Sequence, residues 1–237
     1  MASAASPLPL PTLPTVPHQF LFRFLFNFYT AKCSLGIGLH ANVLYFMKTC
    51  GGVFMAQSSS DHRMTVAEIS ERDGYWELID GTPYNMTPAP SPLHQRVVGE
   101  LFFSLRSHYG KGDCSVYMAP FDVQLDETDP YTLVQPDISV FCNQDWIGDK
   151  RAIGAPELVV EVLSPATALR DRNHKFNLYE RTAISEYWLV DPVNKTIEVY
   201  GLAEGRYRKR AVFGKEDSLT SFHFRNLDID LDAVFSD

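Results

Sequence analysis

Residues 157–163, ELVVEVL, constrain the fold more than any other part of the 237-residue chain. Apolar side chains run through this segment almost without a break instead of alternating, the pattern of a strand covered on both faces. Such a strand belongs in the middle of a sheet with helices laid against it. Glu161 nevertheless stands inside the run. A buried carboxylate without a partner is strongly disfavoured, so it must meet a cation, a hydrogen-bond network or a metal ion. Asp137 raises the same question in QPDISVF, where Pro136 removes a backbone donor at the start of a second strand.

The rest of the chain supplies the elements that such a sheet needs. Thr65, with Glu68 three residues on, forms a capping box for a short helix. YWELI and PYNM flank Asp80-Gly81, which reads as a β-hairpin. In residues 93–109, Val97, Val98, Leu101, Phe102 and Leu105 form the apolar stripe of a helix ended by Gly110. Residues 114–125, 134–142 and 157–163 are three strands. A helix over about 168–181 follows, then the strand EYWLVD and a terminal hairpin around Asn194-Lys195 and Gly205. The expected fold is α/β (α+β): a mixed sheet flanked by helices, with an N-terminal and a C-terminal β-hairpin.

Charge and cysteines narrow the function. The chain carries a formal −8, so it does not coat nucleic acid through a broad basic surface, and any contact with DNA must be local. Residues 1–60 hold no Asp or Glu and only Arg23, Lys32 and Lys48, which leaves −11 for the remainder. This Pro-rich, then aromatic, stretch lacks a period of 2 or 3.6, and Arg23, Lys32 and His40 interrupt any membrane span. It is expected to be a non-core extension over 1–60, disordered or lying upstream of a true start at Met55 or Met64, with the folded domain over 61–237. Cys33, Cys50, Cys114 and Cys142 have no C-x-x-C spacing, so neither a disulfide framework nor a zinc knuckle is signalled. A cytoplasmic protein with no membrane partner is expected.

Two acids on separate central strands, 24 residues apart, suggest a shared site for a hard divalent cation. Lys175, on the next helix, can reach back over the strand ends, where sites in open α/β sheets collect. A bland account exists for each residue. Asp171 and Lys175 stand at i and i+4 in the order of a surface ion pair. Asp137 could bond a turn, and Glu161 could sit in a structural ion pair. Arg206, Arg208, Lys209 and Arg210 fit the guard of an edge strand better than a phosphate contact.

The strings YWELIDGTPYNMTPAPSPLHQRVVGEL, QPDISVF, PELVVEVLSPATALRDRNHKFNLYE and EYWLVDP resemble the Uma-two family of restriction-endonuclease-like proteins over roughly residues 65–210. The resemblance implies a PD-(D/E)-x-K nuclease core of helix, three strands, helix and strand. It implies a metal-dependent endonuclease acting on DNA with Mg²⁺ or Mn²⁺, Asp137 and Glu161 holding the ion and Lys175 assisting catalysis. That superfamily usually has lysine two positions after the second acid, whereas position 163 here is Leu. The resemblance therefore moves the amine to Lys175 on the following helix. It also adds Glu77 as a site residue, although an exposed hairpin acid explains Glu77 equally, and it admits a homodimer by analogy. His94 is expected to serve the helix start. The rival to the enzyme is an inactive nuclease-fold module that binds DNA or regulates.

Overall fold

The computed structural model describes residues 63–86, 89–110 and 114–236, together with two strands at Ser34–His40 (β1) and Val43–Thr49 (β2). The chain divides into two units, Met1–Ser60 and Asp61–Asp237. In the first, β1 and β2 pair antiparallel from Ser34↔Thr49 to His40↔Val43, a hairpin that the sequence reading did not contain. The rest of the expected extension over 1–60 lies outside the described residues.

The second unit opens with helix α1 (Val66–Ser70), closed by the expected capping box: Thr65 N–H donates to Glu68 Oε2 at 2.7 Å and Glu68 N–H to Thr65 Oγ1 at 3.3 Å. Strands β3 (Trp76–Ile79) and β4 (Thr82–Asn85) form the hairpin at Asp80-Gly81. Both turn residues have positive φ, 52° and 81°, which the tight turn demands and which Asp and Gly tolerate. Helix α2 (Pro92–Tyr109) starts where Ser91 Oγ accepts from His94 N–H, and it buries Val97, Val98, Leu101 and Leu105.

The expected strand over 114–125 divides into β5 (Ser115–Met118) and β6 (Val123–Gln124), with Pro120, which has no N–H to donate, between them. Then come β7 (Ile138–Phe141), β8 (Ala152–Ile153), which pairs with β6, and β9 (Leu158–Val162). A π-helical turn, Arg170–Lys175, leads into α3 (Phe176–Arg181). Strands β10 (Glu186–Asp191), β11 (Thr196–Ala203) and β12 (Arg206–Gly214) complete the main sheet, followed by β13 (Ser218–Thr220), β14 (Asp228–Asp230) and α4 (Leu231–Phe235). The sequence reading stopped short of the last three.

The sheet order is β12-β11-β10-β9-β7-β5, with β9 and β10 parallel and every other pair antiparallel. This is the expected mixed sheet of a restriction-endonuclease-like fold. Both faces of β9 are covered, as its composition requires. Leu158, Val160 and Val162 join the core under α2, and Val159 and Leu163 join the core that contains Leu178 and Tyr179 of α3. Glu161 shares the parity of Val159 and Leu163, so it points to the α3 side. No helix among the described residues is long and apolar enough to cross a membrane.

One sequence expectation is corrected. Cys114 and Cys142 form a disulfide across the outer ends of β5 and β7, one step beyond the Ser115↔Phe141 pair. Their separation of 28 residues hid a bridge that only the strand register brings together. A reducing compartment, inferred from missing disulfide spacing, loses that basis.

Two residues of the basic edge strand, Arg206 and Lys209, are tied down. Arg206 pairs with Glu180 at 2.7 Å, while Glu198 of β11 accepts from Arg172 of the π turn, Lys209 of β12 and Tyr200. Partial burial pushes the Glu198 carboxyl up, but the hydrogen bonds from Lys209, Arg172 and Tyr200 outweigh it and hold the group at about 2, below its ordinary 4.5. A depressed carboxyl stabilises the fold above its ordinary value and loses that contribution as pH falls toward the depressed one. Replacing Glu198→Gln is expected to cost about 1 kcal/mol at neutral pH. Urea denaturation should show the gap from the parent closing between pH 4.5 and about 2; a gap independent of pH would contradict the assignment.

Candidate active site

The site begins with strand register. β7 and β9 pair Ile138↔Val160, and one further step in that antiparallel ladder sets Asp137 opposite Glu161. Side chains alternate along a strand, so both acids start from the same face. Asp137 Oδ2 accepts the backbone N–H of Val162 at 2.7 Å, which fixes the carboxylate across the strand ends. His94, in the first turn of α2, places Nε2 3.3 Å from the same oxygen. Burial pulls the imidazole down, but the hydrogen bond and charge of Asp137 outweigh it and raise His94 above its ordinary value.

Lys175 arrives from the other side of the same cluster. Its ammonium lies 2.7 Å from Glu77 Oε1, 2.8 Å from Glu161 Oε1 and 4.0 Å from Asp171 Oδ1, with its side chain only 1% exposed. The π turn supports this reach. Phe176 N–H bonds the carbonyl of Asp171 five residues back, and the widened turn leaves Asp171, Lys175 and, in α3, Tyr179 all buried. Tyr187 O–H donates to the Asp171 carbonyl at 3.1 Å. Tyr179 O–H donates to Glu161 Oε1 at 2.7 Å, so that one oxygen carries both the ammonium and the phenol.

Glu77 enters from β3, outside the main sheet. Leu78 exchanges backbone hydrogen bonds with Leu133, which docks the hairpin, and Gln135 N–H donates to Glu77 Oε1 at 2.9 Å. Glu77 Oε2 is buried without a hydrogen bond, 3.6 Å from an Arg170 nitrogen, and the Arg170 guanidinium lies over the Tyr84 ring.

Electrostatics follow from three acids sharing one ammonium. Burial alone would lower Lys175, but Glu161, Glu77 and Asp171 outweigh it and hold the amine well above its ordinary value. It stays an ammonium throughout the working pH range. Burial raises Glu161 well above its ordinary value, opposed by Lys175 and reinforced by Asp171, Asp137 and Glu77. Burial likewise raises Asp171.

All four residues singled out from the sequence, Glu77, Asp137, Glu161 and Lys175, therefore meet in one cluster. Two bland alternatives fail. Asp171 and Lys175 are not a surface pair, since each side chain is at most 2% exposed. Glu77 is not an exposed hairpin acid, since it is fully buried. His94 both starts its helix and holds Asp137. The sequence reading missed Tyr179 and Asp171 as cluster members, although both stand four residues from Lys175 on its helical face. His174 is exposed, and Trp188 and Tyr187 are buried in the core.

Comparison with known proteins gives a family and a fold. A family model described as "Uma2: Putative restriction endonuclease" matches residues 62–232. An uncharacterized protein of Synechocystis sp., slr1290, is 34% identical over 125 residues, covering 52% of this chain and 64% of that protein. A second from the same organism, sll1609, is 27% identical over 144 residues, covering 58% of this chain and 80% of the relative. Among solved structures, "a putative nuclease belonging to DUF820" from Anabaena variabilis superimposes with TM-score 0.59 at 20% identity, over 73% of this chain and 98% of that one. That likeness shows the shared fold.

Removing the ammonium would leave buried acids without compensation. Lys175→Met is expected to destabilise the fold by about 3–5 kcal/mol, measured by chemical denaturation. A loss below about 1 kcal/mol would mean that the amine does not neutralise the cluster.

Proposed function

The chain belongs to the Uma2 family, and from that premise we propose that it is a nuclease that hydrolyses DNA phosphodiester bonds with a divalent cation held by Asp137 and Glu161. The observation that carries this reading is the meeting of Lys175 with Glu161 and Glu77 inside the fold, with Asp137 opposite Glu161 at the end of the β7–β9 ladder.

The donor set fits Mg²⁺ or Mn²⁺. Glu161 uses Oε1 for Lys175 and Tyr179, and Asp137 uses Oδ2 for Val162 and His94, which leaves one oxygen on each acid for an ion. No group of three or more His, Cys, Asp or Glu is arranged to hold a metal among the described residues. Two carboxylates with solvent and substrate oxygens completing the shell is a usual arrangement for Mg²⁺. The ion, when bound, would supply Lewis-acid charge to the phosphoryl group and help ionise water.

The chain's own groups set the other terms. Asp137 is the open side of the cluster, with its side chain 19% exposed against 4% for Glu161 and 1% for Lys175. A phosphate would approach there. Lys175 keeps its proton, so it cannot act as the general base. Its ammonium instead stabilises negative charge that develops on the phosphoryl oxygens as water adds and the ester oxygen leaves. Glu77 and Tyr179 hold the amine and Glu161 in place, so little reorganisation is needed during reaction.

A second reading, a nuclease-fold module without catalysis, is favoured by one observation: the Lys175 ion pairs are closed within the protein and nearly solvent-free. Calorimetric titration with Mn²⁺ separates the two, because the inactive module would not bind the ion through these acids. For the nuclease, nicking of supercoiled DNA is expected to need Mg²⁺ or Mn²⁺ and to stop on chelation. Asp137→Asn and Glu161→Gln should each lower the nicking rate about 100-fold or more while circular dichroism shows the fold retained. Cation-dependent nicking that survives both substitutions would overturn the site.

A further inference from the structure

We propose that the cleft between the start of β10, the β11–β12 pair and the loop after β13 binds a nucleotide unit through its phosphate. This site is separate from the acid cluster and does not rest on the hydrolytic reading.

A β-bulge creates it. β12 pairs with β11 from Gly214 to Ala211 and again from Lys209 to Arg206, so Arg210 is the extra residue between Ala211↔Val199 and Lys209↔Tyr200. A bulge re-aims the side chain it carries. Here Arg210 lies across Gly201 of β11, where an added Cβ would sit 2.9 Å from its Nε and 3.3 Å from its Cγ. Glycine at 201 therefore admits the arginine stem. The guanidinium makes no ion pair among the described residues, although its neighbours Arg206 and Lys209 both do. It lines a cleft of about 170 Å³ with Ser185, Phe222 and His223.

The loop carrying Phe222 and His223 is built to hold its shape. Glu186, at the base of the cleft, is fully buried, and both its oxygens are occupied. Trp188 Nε1 donates to Oε1 at 2.6 Å. Ser221 Oγ, Phe222 N and His223 N donate to Oε2 at 2.7, 3.1 and 2.8 Å. Glu186 itself lines the cleft, with all four of these donors on its carboxylate. Phe222 is left 54% exposed beside the arginine.

An unpaired guanidinium fork matches phosphate oxygens, and an exposed aromatic ring next to it gives a base a face to stack on. Together they suit one nucleotide unit, from a single strand or free in solution. The position is independent of the acids. Glu186 opens β10, whereas Leu189, three residues on and about 10 Å along the strand, pairs with Glu161. Glu186 and its partner Gly201 also share the face of Trp188 and Val190 under α2, opposite to that of Glu161.

The test uses the full chain carrying Glu161→Gln, without divalent ions, so that binding is read apart from cleavage. A short fluorescent single-stranded DNA is followed by anisotropy and deoxyadenosine monophosphate by calorimetry. Arg210→Ala is expected to weaken the bound probe about tenfold or more and, for DNA, to reduce the salt slope by about one. Gly201→Ala should weaken binding similarly at unchanged Tm, because the flexible arginine can swing aside but leaves the cleft. Loss for DNA alone assigns the site to a strand, and loss for the monophosphate assigns it to a free nucleotide; either supports the proposal. It is overturned if neither probe binds the parent, or if Arg210→Ala leaves both affinities and the salt slope unchanged.

Discussion

One buried ammonium ties together three separate segments of this protein. Lys175 meets Glu77 and Glu161 at hydrogen-bond distance and faces Asp171, and it draws these acids from a hairpin, a central strand and its own helix. Desolvating so many charges is costly, and the mutual attraction offsets that cost with the help of second donors on the oxygens that face the ammonium: Tyr179 O–H on Glu161 Oε1 and Gln135 N–H on Glu77 Oε1. The hairpin β3–β4, the π turn and β9 are therefore positioned by a single polar knot as well as by the apolar clusters around it.

The sheet was legible because burial on both faces leaves a plain mark in composition. ELVVEVL has no polar residue but Glu161 inside it, and it became β9 between β7 and β10. The two acids were legible for the same reason, as polar residues in places that apolar ones should occupy. Lys175 could be placed on a helix, but its burial could not be read: a lysine four residues after an aspartate looks the same on a solvated face. What distinguishes the cases is the π turn, and a one-residue change in backbone hydrogen bonding has no sequence signature in RDRNHK.

Other features escaped because they depend on register between distant segments. Cys114 and Cys142 carry no spacing motif, and only the pairing of β5 with β7 makes them neighbours. Arg210 reads as one of four basic residues on an edge strand until the bulge singles it out. Tyr179 was within reach, since an i+4 rule applied to Lys175 in both directions finds it together with Asp171. The strands of the first unit, SLGIGLH and VLYFMKT, were missed although Leu35, Ile37 and Leu39 alternate, because glycine weakens a strand and the Pro-rich and aromatic stretch before them has no period.

Leu163 occupies the place where the resemblance to PD-(D/E)-x-K nucleases would put the amine, and it belongs to the apolar core beside α3. Splitting acids and amine between a strand and a helix gives this centre no local module that could be cut out and grafted elsewhere. A pair of strands alone would bring two carboxylates and nothing to tame them. On the proposed nuclease reading, competence would depend on whether the helix is seated on the sheet, because lifting it withdraws the ammonium from Glu77 and Glu161 together.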